Sequence, residues 1–478
     1  MRTRTAIIQW VILGGLMLSQ FAWAGRSLEQ IEYALFKNPG ALVEVDLRAL
    51  VANGDLAAMR VLADMLGAGS SADQRERMDL YQAAFAKGRG EVRALASMAR
   101  MMESDPYRRE YYRSYFEQAL SEYPHQRDVK TLLATLEVFL IYPRLFKAEA
   151  AKELIHLHRR SCVVDCATQL YEAVLAEQQG ERSQADAFYR QAVRVDERAI
   201  ERYYRFLGEQ QNQRFPLFAK ALVPDIATMS VESAHRIGIL LDRIADLQRA
   251  DERAAERKRQ QHARATLTEL EPKAPDYVAE SDYLRKQSLF WVNHAAAKNW
   301  VPAMATRVYF MSSDPDNYSG AEAMRLIDDI GLRDPARAKL LRVGALMVTN
   351  WDTLDPVQAH KLIQQMIDEG HPDARLLLGD LYSRGGLDEP DQQRALAIFE
   401  TEAKQGVAVA YFRQARIYAS GVAICSDPPR AYALAEVALA LGVERARGLM
   451  QELSFELTSE EMINVERIRA EIVRELKI

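Results

Sequence analysis

Cysteine is scarce in this chain, with three in 478 residues, so a disulfide framework cannot stand in for a hydrophobic core. A surplus of one charge is also missing, because 62 Lys and Arg against 67 Asp and Glu leave a formal charge of −5. A mildly acidic surface disfavours nucleic acid and is a poor whole-molecule match for a polyanion, although local basic patches can bind one. The chain has no Gly-x-Ser-x-Gly, no His-Glu-x-x-His, no glycine-rich phosphate loop and no dinucleotide fingerprint, so nothing specific points to an enzyme, a metal or a cofactor. The eight histidines are scattered. Acidic pairs such as Asp328-Asp329 and Glu460-Glu461 are expected on solvated helix faces. Long apolar runs are absent beyond the N-terminus. There, Arg2 and Arg4 precede an apolar stretch from Ala6 to Leu18 and the small-residue step Ala22-Trp23-Ala24. That pattern predicts a signal peptide over 1–24 and an exported chain, because the apolar stretch falls short of the roughly 20 residues a spanning helix needs. The alternative is retention as a single anchor. Cleavage after Ala24 moves the formal charge from −5 to −7.

What the chain does have is a ladder. Gly370, Gly406 and Gly442 are 36 residues apart, each followed four residues later by Ala374, Ala410 or Ala446. Asp355, Asp391 and Asp427 keep the same period ahead of Ala359, Ala395 and Ala431. Tyr382 matches Tyr418, and Gly385 matches Gly421. A fixed period of this size signals a solenoid, in which each stacked unit buries a face it could not bury alone. Within one unit, Ala374, Leu377, Leu378, Leu381 and Tyr382 mark one helical face. Glycine past Arg384 stops that helix, and Asp391 starts the next by accepting from its free first-turn amides. Proline after Asp355 and Asp427 suits a first helical position, and alanine at matching heights lets the two helices of a pair approach closely.

The same ladder occurs at Gly54 and Gly90 with Ala58 and Ala94. Cys166 to Gly208 predicts a further hairpin turning at Gly180, with the spacing of a plain tetratricopeptide unit. Arg249 to Gln261 holds only three apolar residues, all alanine, and predicts a solvated helix extension at a joint between two blocks. The expected division is a signal peptide at 1–24, N-terminal repeats at 25–230 and a charged helical joint at 231–280. C-terminal repeats at 281–450 and a capping helix at 451–478 complete it. The fold class is all-α, a right-handed solenoid (superhelix) of antiparallel helix pairs.

Several residues are candidates for more than packing. Cys162 and Cys166 are one helical turn apart and could form a local disulfide. A metal site with the nearby His156 and His158 is the sharper alternative, but the spacing matches no familiar zinc pattern. Cys425 is expected as a turn residue tucked under the neighbouring unit, the alternative being an exposed thiol. Tyr107, Tyr111, Tyr112, Tyr115 and Phe116 interleave with Arg108, Arg109 and Arg113. Aromatic faces beside guanidinium groups suit a sugar or a partner, with Tyr111, Tyr112 and Arg113 as the contacts. The competing reading makes Tyr111, Tyr115 and one neighbour the buried stripe of a helix. Tyr203, Tyr204 and Arg205 pose the same choice. On the concave face, Arg375, Asp380, Arg384, Tyr411, Arg413 and Arg416 are candidate partner contacts.

The run from Ala374 through Leu378-Gly379, Leu381-Tyr382 and Gly385 resembles the Sel1-like branch of the tetratricopeptide superfamily, over about 335 to 450. Ala415 stands where Gly379 does, which keeps a small residue there. The whole layout is similar to a narrower family, the periplasmic alginate-biosynthesis scaffold AlgK. The shared features are Ala63-Asp64-Met65, Ile141-Tyr142-Pro143, the helix from Cys166 to Gly180 and the last unit from Asp427 to Leu441. The resemblance implies a non-catalytic periplasmic scaffold in exopolysaccharide assembly and export, whose partners are an outer-membrane porin and polymer-modifying proteins. It also implies a position near the outer membrane. Members of that family are typically lipoproteins, and no cysteine follows Leu16 to Ala24 to accept a lipid. A generic Sel1-like envelope adaptor for signalling or secretion is one alternative, and a polysaccharide-binding accessory protein is another. No cofactor and no nucleic acid are expected, nor any spanning segment in the mature chain.

Overall fold

In a computed structural model of the chain, the described residues are 26–37, 43–66, 71–85, 91–103, 106–122, 128–161, 167–266, 279–385, 387, 389–422 and 424–475. Among them there are helices and turns and no strand. The signal segment, Gly90 and the Cys162/Cys166 pair lie outside the described residues. The first helices are α1 (Leu28–Lys37), α2 (Glu44–Ala52), α3 (Leu56–Met65), α4 (Ser71–Phe85), α5 (Val92–Met101), α6 (Pro106–Tyr111), α7 (Arg113–Glu122) and α8 (Val129–Ile141). Then come α9 (Ala148–Ser161), α10 (Gln169–Gln178), α11 (Arg182–Ala192), α12 (Arg198–Phe206), α13 (Gln211–Leu222), α14 (Val231–Thr266), α15 (Glu280–Ala297) and α16 (Val301–Ser313). The C-terminal part holds α17 (Gly320–Gly331), α18 (Pro335–Ala345), α19 (Pro356–Asp368), α20 (Ala374–Arg384), α21 (Gln392–Lys404), α22 (Ala408–Ser420) and α23 (Pro428–Ala440). Last are α24 (Ala446–Ser454) and α25 (Ser459–Glu475). Successive helices pack on one another along the chain, which makes the fold an all-α solenoid of helix pairs.

The turns repeat as strictly as the helices. At Gly370, Gly406 and Gly442 the backbone takes φ of +75°, +85° and +96°. The next amide then reaches five residues back: His371 to Met366 O, Val407 to Glu402 O and Val443 to Ala438 O, at 2.8, 3.1 and 2.9 Å. This closure satisfies a helix-end carbonyl and needs a residue at ease in the left-handed region. The same bond follows Gly54 and Gly180, and at Asn299 (φ +59°) it joins Trp300 to Ala295 O. Asparagine is the residue other than glycine that visits this region most readily.

Helix starts follow the period as well. The carboxylates of Asp355, Asp391 and Asp427 accept from the amides of Gln358, Arg394 and Arg430 at 2.9, 2.8 and 3.0 Å, and Ser319 Oγ accepts from Glu322 at 3.2 Å. The amides of the same three aspartates donate to Leu346, Tyr382 and Tyr418 carbonyls at 3.0, 2.9 and 3.0 Å. Arg394 and Arg430 then cover the rings of Tyr382 and Tyr418, at 3.9 and 4.8 Å from the centroids, a cation–π contact repeated at the unit spacing. At Gly379 an added Cβ would lie 2.4 Å from the Phe399 ring. One period on, Ala415 and Ala435 hold these two positions and both are fully buried, so the smaller ring-side residue makes room for the methyl group.

One apolar cluster runs without a break from Leu132 through Ile237 and Leu241 to Trp351. Its backbone is α14, 36 residues long, or about 54 Å at the α-helical rise. The first half packs closely against α15: a Cβ at Gly238 would lie 2.7 Å from Val292, and Ser288 Oγ donates to Gly238 O at 2.8 Å. The expectation of a solvated extension over Arg249–Gln261 is met on one face, where Arg253 and 258–261 are exposed, and corrected on the other. Ala250 and Ala254 are buried, because this stretch of α14 rests on α24. At the C-terminus, α25 lies over α23 with Val465 buried and Arg469 paired to Glu436 at 2.7 Å. No helix among the described residues is long and apolar enough to cross a membrane.

Candidate functional site

The far half of α14 is where the superhelix meets itself. Arg253 pairs with Glu452 at 2.9 Å and Arg257 pairs with Glu456, each across 199 residues of chain. Gln451 donates to Asp251, Lys258 sits 4.7 Å from the Phe455 ring centroid, and Arg445 sits 4.4 Å from that of Tyr309. These contacts are polar and mostly exposed. Asp251 and Gln451 of this closure also line an open cavity of about 990 Å³.

The cavity wall is built from pairs of guanidinium groups sharing one glutamate. On α12 the residues Arg198, Glu201, Arg202 and Arg205 fall on one helical face, while Ala199, Ile200, Tyr203 and Tyr204 are buried on the other. Glu201 accepts Arg243 at 2.9 Å and faces Arg236 at 3.9 Å, both from α14. Glu103 pairs with Arg202 at 2.7 Å and Arg205 at 3.4 Å. Glu137 pairs with Arg198 and lies 3.7 Å from Arg100, with Asp196 holding Arg198 from the other side at 2.7 Å. Burial pushes the Arg202 guanidinium down and Glu103 pulls it back up. Arg202, its side chain 11% exposed, is not itself part of the lining; with Arg109 and Arg447, seven arginines and no lysine among the described residues face the cavity, against five carboxylates. Guanidinium is a planar fork matched to carboxylate geometry, whereas an ammonium is a point charge. Among the described residues no group of three or more His, Cys, Asp or Glu is placed to hold a metal.

The candidate contacts of the C-terminal units fall in several environments. Arg375, Arg384 and Arg416 are exposed. Arg375 lies 3.7 Å from Glu402, and Arg384 donates to Met347 O at 3.4 Å. Asp380 and Arg413 pair at 2.6 Å between adjacent units. Burial raises the Asp380 carboxyl, against the pull of Arg413, Arg384 and Arg416. Tyr411 is packed inside and donates to Ala403 O at 2.8 Å.

Two expectations are corrected. The helix breaks at Tyr112, between α6 and α7, so the register changes there. Phe116, Tyr112 and Tyr115 turn to the core, while Tyr111 is 77% exposed with its ring edge-on to Tyr112. Arg113 is exposed and pairs with Glu110 at 3.4 Å. Cys425 is an exposed free thiol, not tucked under its neighbour, because the turn before α23 is open to solvent at Val422 and Ser426 as well. At the other ambiguous cluster, Tyr203 and Tyr204 are buried and Arg205 points into the cavity. His158 is buried and His156 exposed on α9. The arginine wall itself escaped the sequence reading. Its signal is arginine at helical spacing beside a buried apolar face, as with Arg236 and Arg243, seven apart.

No family model matches the chain. The alginate biosynthesis protein AlgK of Pseudomonas syringae pv. tomato (strain ATCC BAA-871 / DC3000) is 28% identical over 145 residues, which is 30% of this chain and 30% of that protein. Two solved structures are also similar. One is c5321, a protective antigen of uropathogenic Escherichia coli displaying an SLR fold, at 14% identity over 91% of this chain and 95% of that one, with a TM-score of 0.24. The other is a Sel1 repeat protein from Oxalobacter formigenes, at 16% identity over 57% and 99%, with a TM-score of 0.26. The helix pairs and turns described above carry the fold on their own geometry, and the chain resembles AlgK over less than a third of either sequence.

Proposed function

We propose that the protein is a non-catalytic periplasmic scaffold in exopolysaccharide, alginate-like, assembly and export. It links an outer-membrane porin to periplasmic polymer-modifying proteins. The observation that carries this reading is the 28% identity to an alginate biosynthesis protein over 30% of the chain, found on an all-α solenoid of helix pairs. The exposed arginines Arg375, Arg384 and Arg416 are proposed as partner contacts on the C-terminal units, and the blocks at 25–230 and 281–450 as its two arms. The test is crosslinking of the exported chain in its native envelope, followed by mass spectrometry of what is captured. Recovery of an outer-membrane barrel together with polymer-modifying proteins is expected. Recovery of an inner-membrane sensor or secretion complex alone would replace this reading with that of a generic envelope adaptor.

A further inference from the structure

We infer that the arginine-lined cavity at the closure of the superhelix is a receptor for an acidic, extended segment of a partner protein, held by its aspartate and glutamate carboxylates. The wall already displays the recognition chemistry. Glu103 and Glu201 each sit between two guanidinium groups, and a guanidinium has five donors, more than half a shared carboxylate can satisfy. Several lining arginines are both loosely paired and open, Arg100 and Arg205 among them, and two of these open groups stand opposite each other across the closure. Arg236 is 3.9 Å from its glutamate with 45% of its side chain exposed, and Arg447 is 3.3 Å from Glu444 with 52% exposed. They come from α14 and α24, on the two sides of the closure, so a bound chain of carboxylates would span it.

Three features select a peptide. The chain as a whole is acidic, so an arginine-rich wall is a local inversion of the molecular charge and supplies complementarity where it is needed. A sugar chain or single-stranded nucleic acid would want an open aromatic platform. Among the described residues the one aromatic of the wall, Tyr204, has Arg243 at 5.3 Å from its centroid, and Phe215 meets it in an edge-to-face contact. Finally, about 990 Å³ is at the top of the range for ligand pockets, roughly 300 to 1,000 Å³. That space admits a few extended residues and not a folded domain. Capture of acidic motifs by arginine clusters is an established recognition mode.

The inference rests on the scaffold reading for its choice of a protein occupant. The test is fluorescence anisotropy of fluorescein-labelled hexaglutamate with the full exported chain. Saturable binding is expected, with none for hexaglutamine. Binding should weaken about tenfold or more in Arg236→Gln/Arg447→Gln, as the loss of charge-assisted hydrogen bonds implies. Arg236→Lys/Arg447→Lys keeps the charge and guards against a folding defect, and it should weaken binding severalfold because the fork is lost. Equal binding by wild type and either variant, each melting normally, would overturn the proposal. So would displacement of the peptide by a uronic acid hexamer at lower concentration than unlabelled hexaglutamate, which would assign the cavity to a sugar. Failure here leaves the envelope crosslinking result untouched, since that is read by partner identity.

Discussion

From α19 to α23 the helices meet through alanine and glycine at a period of 36 residues, whereas α12 and α14 meet partly through paired guanidinium groups around single glutamates. In the first region every joint is bonded alike. The amide after Gly370, Gly406 or Gly442 reaches the same carbonyl, and each aspartate caps the same position. In the second region the partners are Arg–Glu pairs drawn from α5, α8, α12 and α14, with no common spacing in the sequence. Repetition therefore builds the stack, and departure from repetition builds the surface that can distinguish a ligand.

The comparison can be broken most severely inside the regular block. Phe399→Ala is expected to destabilise the protein by about 3–5 kcal/mol in urea melts, as emptied aromatic core sites do. Gly379→Ala alone should cost about 1–3 kcal/mol, because its Cβ would overlap the Phe399 ring. In the Phe399→Ala background the same change should cost nothing, reproducing the Ala415 and Ala435 pair of the next unit. A full penalty for Gly379→Ala in both backgrounds would show that the two positions do not trade volume.

A pH effect comes next, and it belongs to the irregular part. Burial, with help from Arg236 and Arg337, pushes His235 down to about 4 from its ordinary 6.5. The folded state therefore resists a proton that the unfolded chain accepts. Stability is complete above pH 6.5 and falls as the pH drops from there toward 4, by about 3 kcal/mol over that window. Thr306 Oγ donates to Pro302 O, so at 2.9 Å it receives its bond from His235 Nε2, and the neutral Nε2–H form is the one that fits. His235→Gln should flatten the melt midpoint between pH 7 and 4, and an unchanged slope would remove His235 as the cause.

Glu201→Gln should cost about 2 kcal/mol, since it leaves Arg236 and Arg243 facing each other across a half-buried site. Added salt should restore part of the loss, and a penalty insensitive to salt would point to packing instead. The smallest effect on stability is expected at the closure. Glu452→Lys/Glu456→Lys reverses two exposed pairs, each worth less than about 1 kcal/mol, yet small-angle scattering should report a larger radius of gyration. An unchanged radius would mean that apolar contacts hold the closure.

Legibility followed the same divide. The turns at Gly370, Gly406 and Gly442, the aspartate caps and the alanine contacts stood in the sequence because each depends on a single residue type with a backbone role. Asn299 was silent because its turn is made by a residue that elsewhere serves many purposes. Tyr111 and Tyr112 could not be divided between surface and core because the break at Tyr112 shifts the helical register, and no proline or glycine marks it. The arginine wall was illegible for a deeper reason. Its members are spread from Arg100 to Arg447, and only the return of the chain upon itself makes them neighbours.

That return has a further consequence. An open solenoid can gain or lose a unit in evolution with little disturbance, since each unit touches only the next. Here Arg253 and Arg257 must find Glu452 and Glu456 across 199 residues. Deleting or duplicating one 36-residue unit between them would carry the glutamates past their partners. The closure therefore fixes the copy number of the repeats, and α14 serves as the gauge against which that number is measured.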